Sequence, residues 1–309
     1  MKSLKGVKIL IGPSSFAAMD PDPMNLLTES GCTVIDNPYK RKLTKDELVE
    51  LLSENGVTGL IAGLEPLDRE VFERSDLKVI SRCGSGLSNV DVEAAEMLGI
   101  RVCYTPYGPT QAVAELTIGA MLNLIRMVPL MNKDLHEGKW TKEVGILLEG
   151  KTVLIIGFGR IGRRVAELLT PFKVRILAVD EINQEAFGNV AFVSLEDALT
   201  QADILTIHAS GETCILRDKE FALIKPGAFL LNAARGGLID EGCLIDALDS
   251  GVIAGAWLDA FEHEPYRGPL EQYSQVLLTP HIGSYTVECR RNMELESVEN
   301  LLNAFNEIE

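Results

Sequence analysis

Three side chains that could share one acid–base reaction follow apolar, strand-like runs in the second half of the chain. Arg235 precedes two glycines, Glu264 lies in an acidic run before Pro265, and His281 follows Pro280. A guanidinium can bind a planar carboxylate through two parallel hydrogen bonds. A carboxylate beside a histidine favours the imidazolium, which can then protonate a developing alkoxide. These residue types suit a nicotinamide-dependent reaction on a keto or hydroxy acid.

Each of these residues also has an ordinary structural explanation. Arg235 could form a surface salt bridge, and His281 could be a turn histidine whose hydrogen bonds are satisfied locally. An acid such as Glu264, and the neighbouring His263, could simply be solvated. Spacing alone leaves these alternatives open.

A glycine-rich turn predicts a dinucleotide site nearer the middle of the chain. The apolar run 152–156 leads into Gly157, Gly159 and Gly162 and then into an amphipathic segment, so the pattern closes a strand and opens a helix. Gly157 would allow the tight turn, Gly159 the close approach of a pyrophosphate, and Gly162 close packing of the helix. Free N–H groups at the helix start would bind the phosphates.

The cofactor is predicted to be NAD because of the acid that ends the next strand. Asp180 follows the apolar run 175–179 and precedes Glu181, with no arginine beside it. A carboxylate there accepts hydrogen bonds from the adenosine ribose hydroxyls and repels the 2′-phosphate of NADP. The alternative is a glycine-rich turn with a surface aspartate.

Short apolar runs alternate with helical patterns on both sides of this turn, which predicts parallel strands joined by helical crossovers. Strands are predicted at 7–11, 33–35, 59–62, 77–81, 102–104, 152–156, 175–179, 203–208, 228–232, 254–258 and 276–279. Helices are predicted at 24–30, 43–54, 92–98, 111–126, 159–169 and 287–305. The helix at 111–126 is apolar on much of its circumference and would join two domains. The last helix would pack back on the first domain.

Composition excludes several classes of function. The formal charge is −16 and the pI about 4.8, whereas a nucleic-acid-binding protein needs a basic face. No apolar run approaches the length of a membrane span. The six cysteines form no CxxC pair and favour buried, reduced thiols. We therefore expect a cytoplasmic protein that binds neither nucleic acid nor membrane and has no metal site.

Taken together, the motifs closely resemble the D-isomer-specific 2-hydroxyacid dehydrogenases, especially the phosphoglycerate dehydrogenase branch. The resemblance runs over nearly the whole chain in order. The segments that carry it are 84–91 (GSGLSNVD), 157–162 (GFGRIG), 232–240 (NAARGGLID), 258–265 (LDAFEHEP) and 280–284 (PHIGS).

The resemblance implies a fold and a set of residue roles. It implies an α/β protein of two Rossmann-like or flavodoxin-like domains with parallel sheets and the active site in the cleft between them. Residues 1–102 and 285–309 would bind the substrate, and residues 103–284 would bind NAD and form a homodimer. The implied catalytic residues are Arg235, Glu264 and His281. The implied cofactor contacts are Gly157, Gly159, Arg160, Ile161, Gly162, Asp180, Ser85, His208, Ala209, Ala233, Ala234, Asp259 and Gly283. The implied substrate contacts are Ser85, Gly86, Leu87, Arg82 and Arg235.

Two departures from the family pattern bear on the substrate. Phosphoglycerate dehydrogenases carry an arginine after the strand matching 59–62, whereas this chain reads Ala62-Gly63-Leu64-Glu65 and adds an acid. A phosphorylated substrate is therefore not supported, although 3-phosphoglycerate stays an alternative to a plain 2-hydroxy or 2-keto acid. The chain ends at Glu309, so we also expect no C-terminal regulatory domain of the kind some relatives have.

One hypothesis comes from another class of function. The same family includes corepressors that use the fold as a dimer gated by NAD(H). The motif residues do not exclude such an interaction protein, because relatives of this kind can keep all three catalytic residues.

Overall fold

The structure is a computed structural model and describes residues 4–182, 185–211 and 213–308. The elements up to residue 104 are β1 (Lys8–Ile11), α1 (Asp22–Glu29), β2 (Thr33–Ile35), α2 (Lys45–Asn55), β3 (Gly59–Ala62), α3 (Arg69–Glu73), β4 (Val79–Arg82), α4 (Val92–Met97) and β5 (Arg101–Tyr104). They alternate as predicted. A capping box begins α2, since the Thr44 hydroxyl and the Glu47 carboxylate each accept a hydrogen bond from the other residue's backbone N–H.

The remaining elements form a second, longer series. They are α5 (Pro109–Ile125), α6 (Val128–His136), β6 (Thr152–Ile156), α7 (Arg160–Leu169), β7 (Arg175–Val179), β8 (Val190–Phe192), α8 (Leu195–Leu199), β9 (Ile204–Ile207), α9 (Asp218–Phe221), β10 (Ala228–Asn232), α10 (Glu241–Asp249), β11 (Ile253–Leu258), β12 (Val276–Leu278) and α11 (Val287–Ile308). Short 3-10 turns lie at Thr170–Phe172, Gly236–Leu238 and Pro269–Gln272.

The chain divides into two compact units, Met1–Pro109 with Tyr285–Glu309, and Thr110–Ser284. Residues 103–109, which we expected in the second domain, lie in the first unit because β5 pairs with β4. The helix α11 also belongs to the first unit, where it packs on α1, β3, β4 and β5. Arg291 fixes it there through ion pairs with Asp20 at 2.5 Å and Asp22 at 2.9 Å. The prediction that the last helix packs on the first domain is confirmed.

The described residues of the first unit form a five-stranded parallel sheet in the order β2-β1-β3-β4-β5. Its central strand β3 is buried along its whole length, with a glycine at 59 where the Phe305 ring of α11 packs closely. A strand covered on both faces needs apolar residues at every position, which explains the continuous apolar runs in the sequence.

In the second unit the described strands form a seven-stranded parallel sheet in the order β12-β11-β10-β9-β6-β7-β8. Val153 and Ile155 contribute to one buried cluster and Leu154 and Ile156 to another, so both faces of β6 are covered. The apolar helix α5 packs into the first of these clusters through residues such as Met121. No single helix in the described part of the chain is long and apolar enough to span a membrane. The helices α5 and α6 together reach that length and apolar character, but the pair is bent by 66°.

All six cysteines lie among the described residues and are free thiols, as expected. The expectation that they are buried is wrong for four of them, since only Cys83 and Cys289 are buried and the others are partly exposed. Cys32 and Cys214 lie in loops, Cys103 lies on the edge strand β5 and Cys243 lies in the first turn of α10, so an apolar neighbourhood in the sequence does not guarantee burial.

Candidate active site

The glycine-rich turn between β6 and α7 has the geometry that dinucleotide phosphates require. A Cβ on Gly157, whose φ is +91°, would overlap the backbone of Ala209, and one on Gly162 would overlap the Gly157 carbonyl oxygen. A Cβ on Gly159 would meet no atom within 4 Å. The first and third glycines therefore allow close packing, while the second leaves room beside the start of α7. Such a space at a helix N-terminus suits a pyrophosphate.

Asp180 lies just after β7 and helps to build this turn. Its carboxylate accepts hydrogen bonds from the N–H of Phe158 at 2.6 Å and of Ile182 at 2.9 Å. A carboxylate at the end of this strand is the group that accepts hydrogen bonds from the ribose hydroxyls of NAD in a fold of this kind. The residues at the start of α7 are accessible, with Arg160 exposed and Ile161 partly exposed. The described residues here thus fit an NAD molecule.

His208 follows β9, next to the glycine-rich turn. Its Nε2 lies 2.9 Å from the Thr206 hydroxyl, and its Nδ1 is a buried atom without a hydrogen-bond partner among the described residues. Burial lowers the pKa of the imidazole to about 4, so His208 is neutral near pH 7. A neutral ring with one unused nitrogen beside the turn is consistent with the predicted cofactor contact of His208.

Arg235 is presented by a turn that Asn232 fixes at the end of β10. The Asn232 amide accepts from the Ala234 N–H at 3.0 Å and donates to the Arg235 carbonyl oxygen at 2.8 Å. The next residue must be glycine, because a Cβ on Gly236 would overlap the backbone at Phe261. This close approach brings Arg235 to the loop after β11. The predicted cofactor contacts Ala233 and Ala234 lie in the same turn.

A buried network holds the turn that carries the histidine. The carboxylate of Asp259, only 1% exposed, accepts from the Thr279 hydroxyl at 2.6 Å and from the N–H groups of Ile282 at 2.9 Å and Gly283 at 2.8 Å. Thr279 in turn accepts from the indole of Trp257 at 2.9 Å. Asp259 was predicted as a cofactor contact; within its own unit, the structure shows that it fixes residues 279–283.

His281 projects from this turn with a φ of +54°, which is uncommon for a residue other than glycine. Its Nδ1 lies 3.0 Å from both carboxylate oxygens of Glu264. Glu264 is fixed by the N–H of Phe261, which donates to Oε1 at 3.1 Å. Glu262 and His263 are exposed, as is Glu264, but the hydrogen bonds to the His281 ring come from Glu264. The structure thus brings His281 together with Glu264 rather than with the other acid of the run.

The imidazolium of His281 and the carboxylate of Glu264 each favour the charged form of the other. The hydrogen bond to Glu264 raises the pKa of His281, against an opposing effect of burial. Burial raises the pKa of Glu264, but the hydrogen bonds from His281 and Phe261 outweigh it, so that the net pKa is lowered. The charge of Arg235 lowers both pKa values, which places the guanidinium within electrostatic reach of the pair. A cation, an imidazole and a carboxylate together can bind an acid and move a proton.

The other predicted substrate residues lie in the first unit, where Arg82 ends β4 and Ser85, Gly86 and Leu87 lie in the loop after it. Ser85 is exposed, and Gly86 and Leu87 are partly exposed. The Arg82 guanidinium packs against Gly84, where a Cβ would overlap it, and its Nη1 donates to the Cys83 carbonyl oxygen at 2.9 Å. This loop therefore follows the carboxyl end of β4 and is accessible at Ser85, Gly86 and Leu87.

Sequence reasoning missed the residues that position the site rather than act in it. Asn232 and Thr279 lie within the matched motifs or beside them, but no pattern shows that their side chains bond to the backbone at Arg235 and to the Asp259 carboxylate. Trp257 looks like an ordinary core residue. The only local signal is that polar residues end apolar strands at these positions.

Comparison with known proteins agrees with this geometry. Residues 118–283 match the family described as D-isomer specific 2-hydroxyacid dehydrogenase, NAD binding domain. The chain is 36% identical to D-3-phosphoglycerate dehydrogenase of Homo sapiens over 294 residues, which is 92% of this chain and 54% of that protein. It is 36% identical to hydroxypyruvate reductase of Thermotoga maritima over 84% of this chain and 88% of that protein. A glyoxylate reductase from Paecilomyes thermophila superposes with a TM-score of 0.88 and 29% identity, covering 99% and 97% of the two chains.

The second unit thus combines a dinucleotide-binding turn with an Arg–Glu–His set in a parallel α/β fold. The chain belongs to the D-isomer-specific 2-hydroxyacid dehydrogenase family, and its second unit is the NAD-binding domain. It spans about half the length of the D-3-phosphoglycerate dehydrogenases that it matches.

Proposed function

We propose that this protein is an NAD-dependent D-2-hydroxyacid dehydrogenase that interconverts a D-2-hydroxy acid and its 2-keto acid. The observation that carries the proposal is the pairing of His281 with Glu264 at 3.0 Å within reach of Arg235. A structural histidine would not need a buried carboxylate, Asp259, to fix its turn and a second carboxylate to raise its pKa.

The residues divide the work of the reaction. The cofactor, when bound, supplies or accepts the hydride at its nicotinamide ring. Arg235 binds the substrate carboxylate through its two-pronged guanidinium and orients the neighbouring carbonyl carbon. Glu264 holds Nδ1 of His281, so we assign the transferred proton to Nε2. In reduction Nε2 gives this proton to the carbonyl oxygen, and in oxidation it takes the proton from the hydroxyl group.

The first unit, residues 1–109 with 285–309, is proposed to bind the substrate. Its support is the accessible loop at Ser85, Gly86 and Leu87, which matches the family loop whose backbone N–H groups hold the substrate carboxylate. The hydroxyl of Thr105, which follows β5, accepts the Gly84 N–H at 2.7 Å and fixes the start of this loop. Hydroxypyruvate, glyoxylate and 2-ketoglutarate are the first acids to assay.

We further propose a homodimer formed through the NAD-binding domain. The segment after α6 exposes large apolar side chains, among them Trp140 at 80% and Val144 at 93%. Apolar side chains this exposed within one short segment are typical of an interaction surface, and a second copy of the chain would cover them. Sedimentation should give the mass of a dimer, and Trp140→Asp should shift it towards the monomer. The free state of all six thiols favours a reducing compartment such as the cytoplasm.

The central test is the variant His281→Gln. General acid–base catalysis contributes about 10²- to 10⁴-fold, so keto-acid reduction should fall by that factor while NADH binding, measured by fluorescence, is retained. Near-normal turnover would refute the assigned role. If the wild type reduces none of the acids but self-associates on adding NADH, the chain is instead an NAD-sensing interaction protein.

A further inference from the structure

The sheet of the first unit has a crevice whose position follows from its strand order. The chain runs from β1 to β2 on one side and then crosses to β3 on the other. Crossovers that leave in opposite directions open a crevice at the carboxyl ends of the two strands, where α/β sheets of this order bind their ligands. In this unit the crevice lies between Gly12, which follows β1, and Gly63, which follows β3.

The carboxyl group of Glu65 fills this crevice. Glu65 is only 1% exposed, and its Oε1 accepts the Gly63 N–H at 2.8 Å. A Cβ on Gly12 would overlap Oε1, and one on Gly63 would lie 3.0 Å from Oε2. The carboxyl group therefore rests on the backbone at the ends of both strands, and glycine at position 12 provides the space that it occupies.

The loop that carries Glu65 is fixed from the neighbouring strand connection. The Asn89 side chain donates to the carbonyl oxygens of Glu65 at 2.7 Å and Gly63 at 3.2 Å. A parallel bridge between Leu67 and Val90 continues the attachment. Because these contacts hold the backbone on both sides of the side chain, the Glu65 carboxyl group cannot leave the crevice through a simple rotation of the loop.

The charges around the Glu65 carboxyl group are consistent with its position inside the crevice. Burial raises the pKa of Glu65, while the Gly63 hydrogen bond and the charges of Arg82 and Lys42 lower it. Arg82 and Lys42 thus favour the ionised form of Glu65, an acid of the protein itself. A phosphate group entering the crevice would meet the volume of the carboxyl group, and its charge wherever Glu65 is ionised.

We propose that Glu65 is a specificity-determining residue that closes the crevice of the first unit to a phosphate group on the substrate. The substrate is accordingly a short, unphosphorylated D-2-hydroxy or 2-keto acid. This inference rests on the proposed function, because it concerns the part of the substrate that lies beyond the reacting carbon.

The test compares hydroxypyruvate with 3-phosphohydroxypyruvate in NADH oxidation. The wild type should favour hydroxypyruvate at least hundredfold in kcat/KM. Glu65→Gln keeps the volume and removes the charge, and Glu65→Ala removes both. The preference should fall at least tenfold in the alanine variant and by a smaller factor in the glutamine variant. Glu50→Gln, which changes an exposed acid of α2, should keep the wild-type preference.

A wild type that prefers the phosphorylated acid, or an alanine variant with the wild-type preference, would overturn the proposal. If the alanine variant does not fold, the glutamine variant decides in its place. If no form of the protein reduces either acid, the proposed function fails. The exclusion of phosphate by Glu65 is then tested by the melting temperature of each form in the presence of NADH. 3-Phosphoglycerate should raise the melting temperature of the Glu65 variants but not that of the wild type. Equal shifts for all forms would reject the exclusion.

Discussion

Replacing Glu264 by glutamine keeps the shape of the side chain and removes the charge that faces His281. Two unit charges at the observed 3.0 Å attract each other by about 1.4 kcal/mol in water and by about 5.5 kcal/mol at an effective dielectric constant of about 20. The side chains of His281 and Glu264 are 43% and 33% exposed, so solvent screens the pair and the lower figure applies. About 1.4 kcal/mol is a factor of about ten in the ratio of imidazolium to imidazole.

The effect on rate should depend on pH with a definite sign. Glu264 raises the pKa of His281, so the imidazolium of the wild type persists to higher pH than that of Glu264→Gln. Well below both pKa values His281 is protonated in both proteins, and keto-acid reduction should proceed at similar rates. Above both values the variant has about one tenth of the imidazolium and should reduce the acid about tenfold more slowly. Oxidation of the D-hydroxy acid needs the neutral ring and should begin at lower pH in the variant.

The measurement is kcat/KM for NADH-dependent reduction over a pH series, with Glu262→Gln as the control. Glu262 lies two residues earlier in the same acidic run and is exposed, so its variant should follow the wild-type profile. An equal loss of rate at every pH would mean that Glu264 supports the loop rather than the pKa of His281. A profile identical to that of the wild type would refute the pairing altogether.

Three further substitutions test how the second unit is built. Gly159→Ala should change the unfolding free energy by less than about 1 kcal/mol. It should raise the dissociation constant of NADH at least tenfold, because the added Cβ would enter the space beside α7. An unchanged dissociation constant would mean that the phosphates bind elsewhere. His208 has a folded pKa of about 4 against about 6.5 when unfolded, so the wild type should lose about 3 kcal/mol of stability relative to His208→Gln as the pH falls from about 6.5 to 4. Urea unfolding across that range measures it, and a constant difference would contradict the burial of the ring. Asp259→Asn places an amide where two backbone N–H groups donate and should lower the unfolding free energy by about 2 kcal/mol; equal urea midpoints would show that the network does not stabilise the turn.

The strands and the glycine-rich turn could be predicted because local sequence determines them. Five of the eleven predicted strands, at 33–35, 59–62, 152–156, 175–179 and 228–232, match the observed ones residue for residue. Four of these five lie inside their sheets, where strands covered on both faces are largely continuous apolar runs. The helix α10 was missed although Asp240 caps it at Cys243, which is a recognisable local signal. The edge strand β8, which pairs with β7, was also missed, although its residues Val190–Phe192 form a short apolar run comparable to the edge strand β2.

The residues proposed to take part in the reaction were easier to predict than those that position them. Arg235 and His281 end apolar strands, and this placement is visible in the sequence. That Glu264 rather than Glu262 faces the imidazole came from the family resemblance, since spacing within an acidic run does not distinguish them. The positive φ of His281 depends on Asp259, which lies 22 residues earlier in the chain, and no local pattern predicts such a contact.

Each of the two sheets has a crevice at the equivalent position, and the residues treat an anion differently in each. In the second unit the crevice lies between β6 and β9, and Gly159 leaves space there for anionic phosphates at the start of a helix. In the first unit Gly12 also leaves space, but the Glu65 carboxyl group occupies it. The sequence shows the acid after β3 but not its burial, because an unpaired glutamate is normally expected at the surface, and Gly12 lies 53 residues away. An anion-accepting crevice in one unit and an acid-filled crevice in the other mean that the protein binds the phosphates of its cofactor and should reject a phosphate on its substrate.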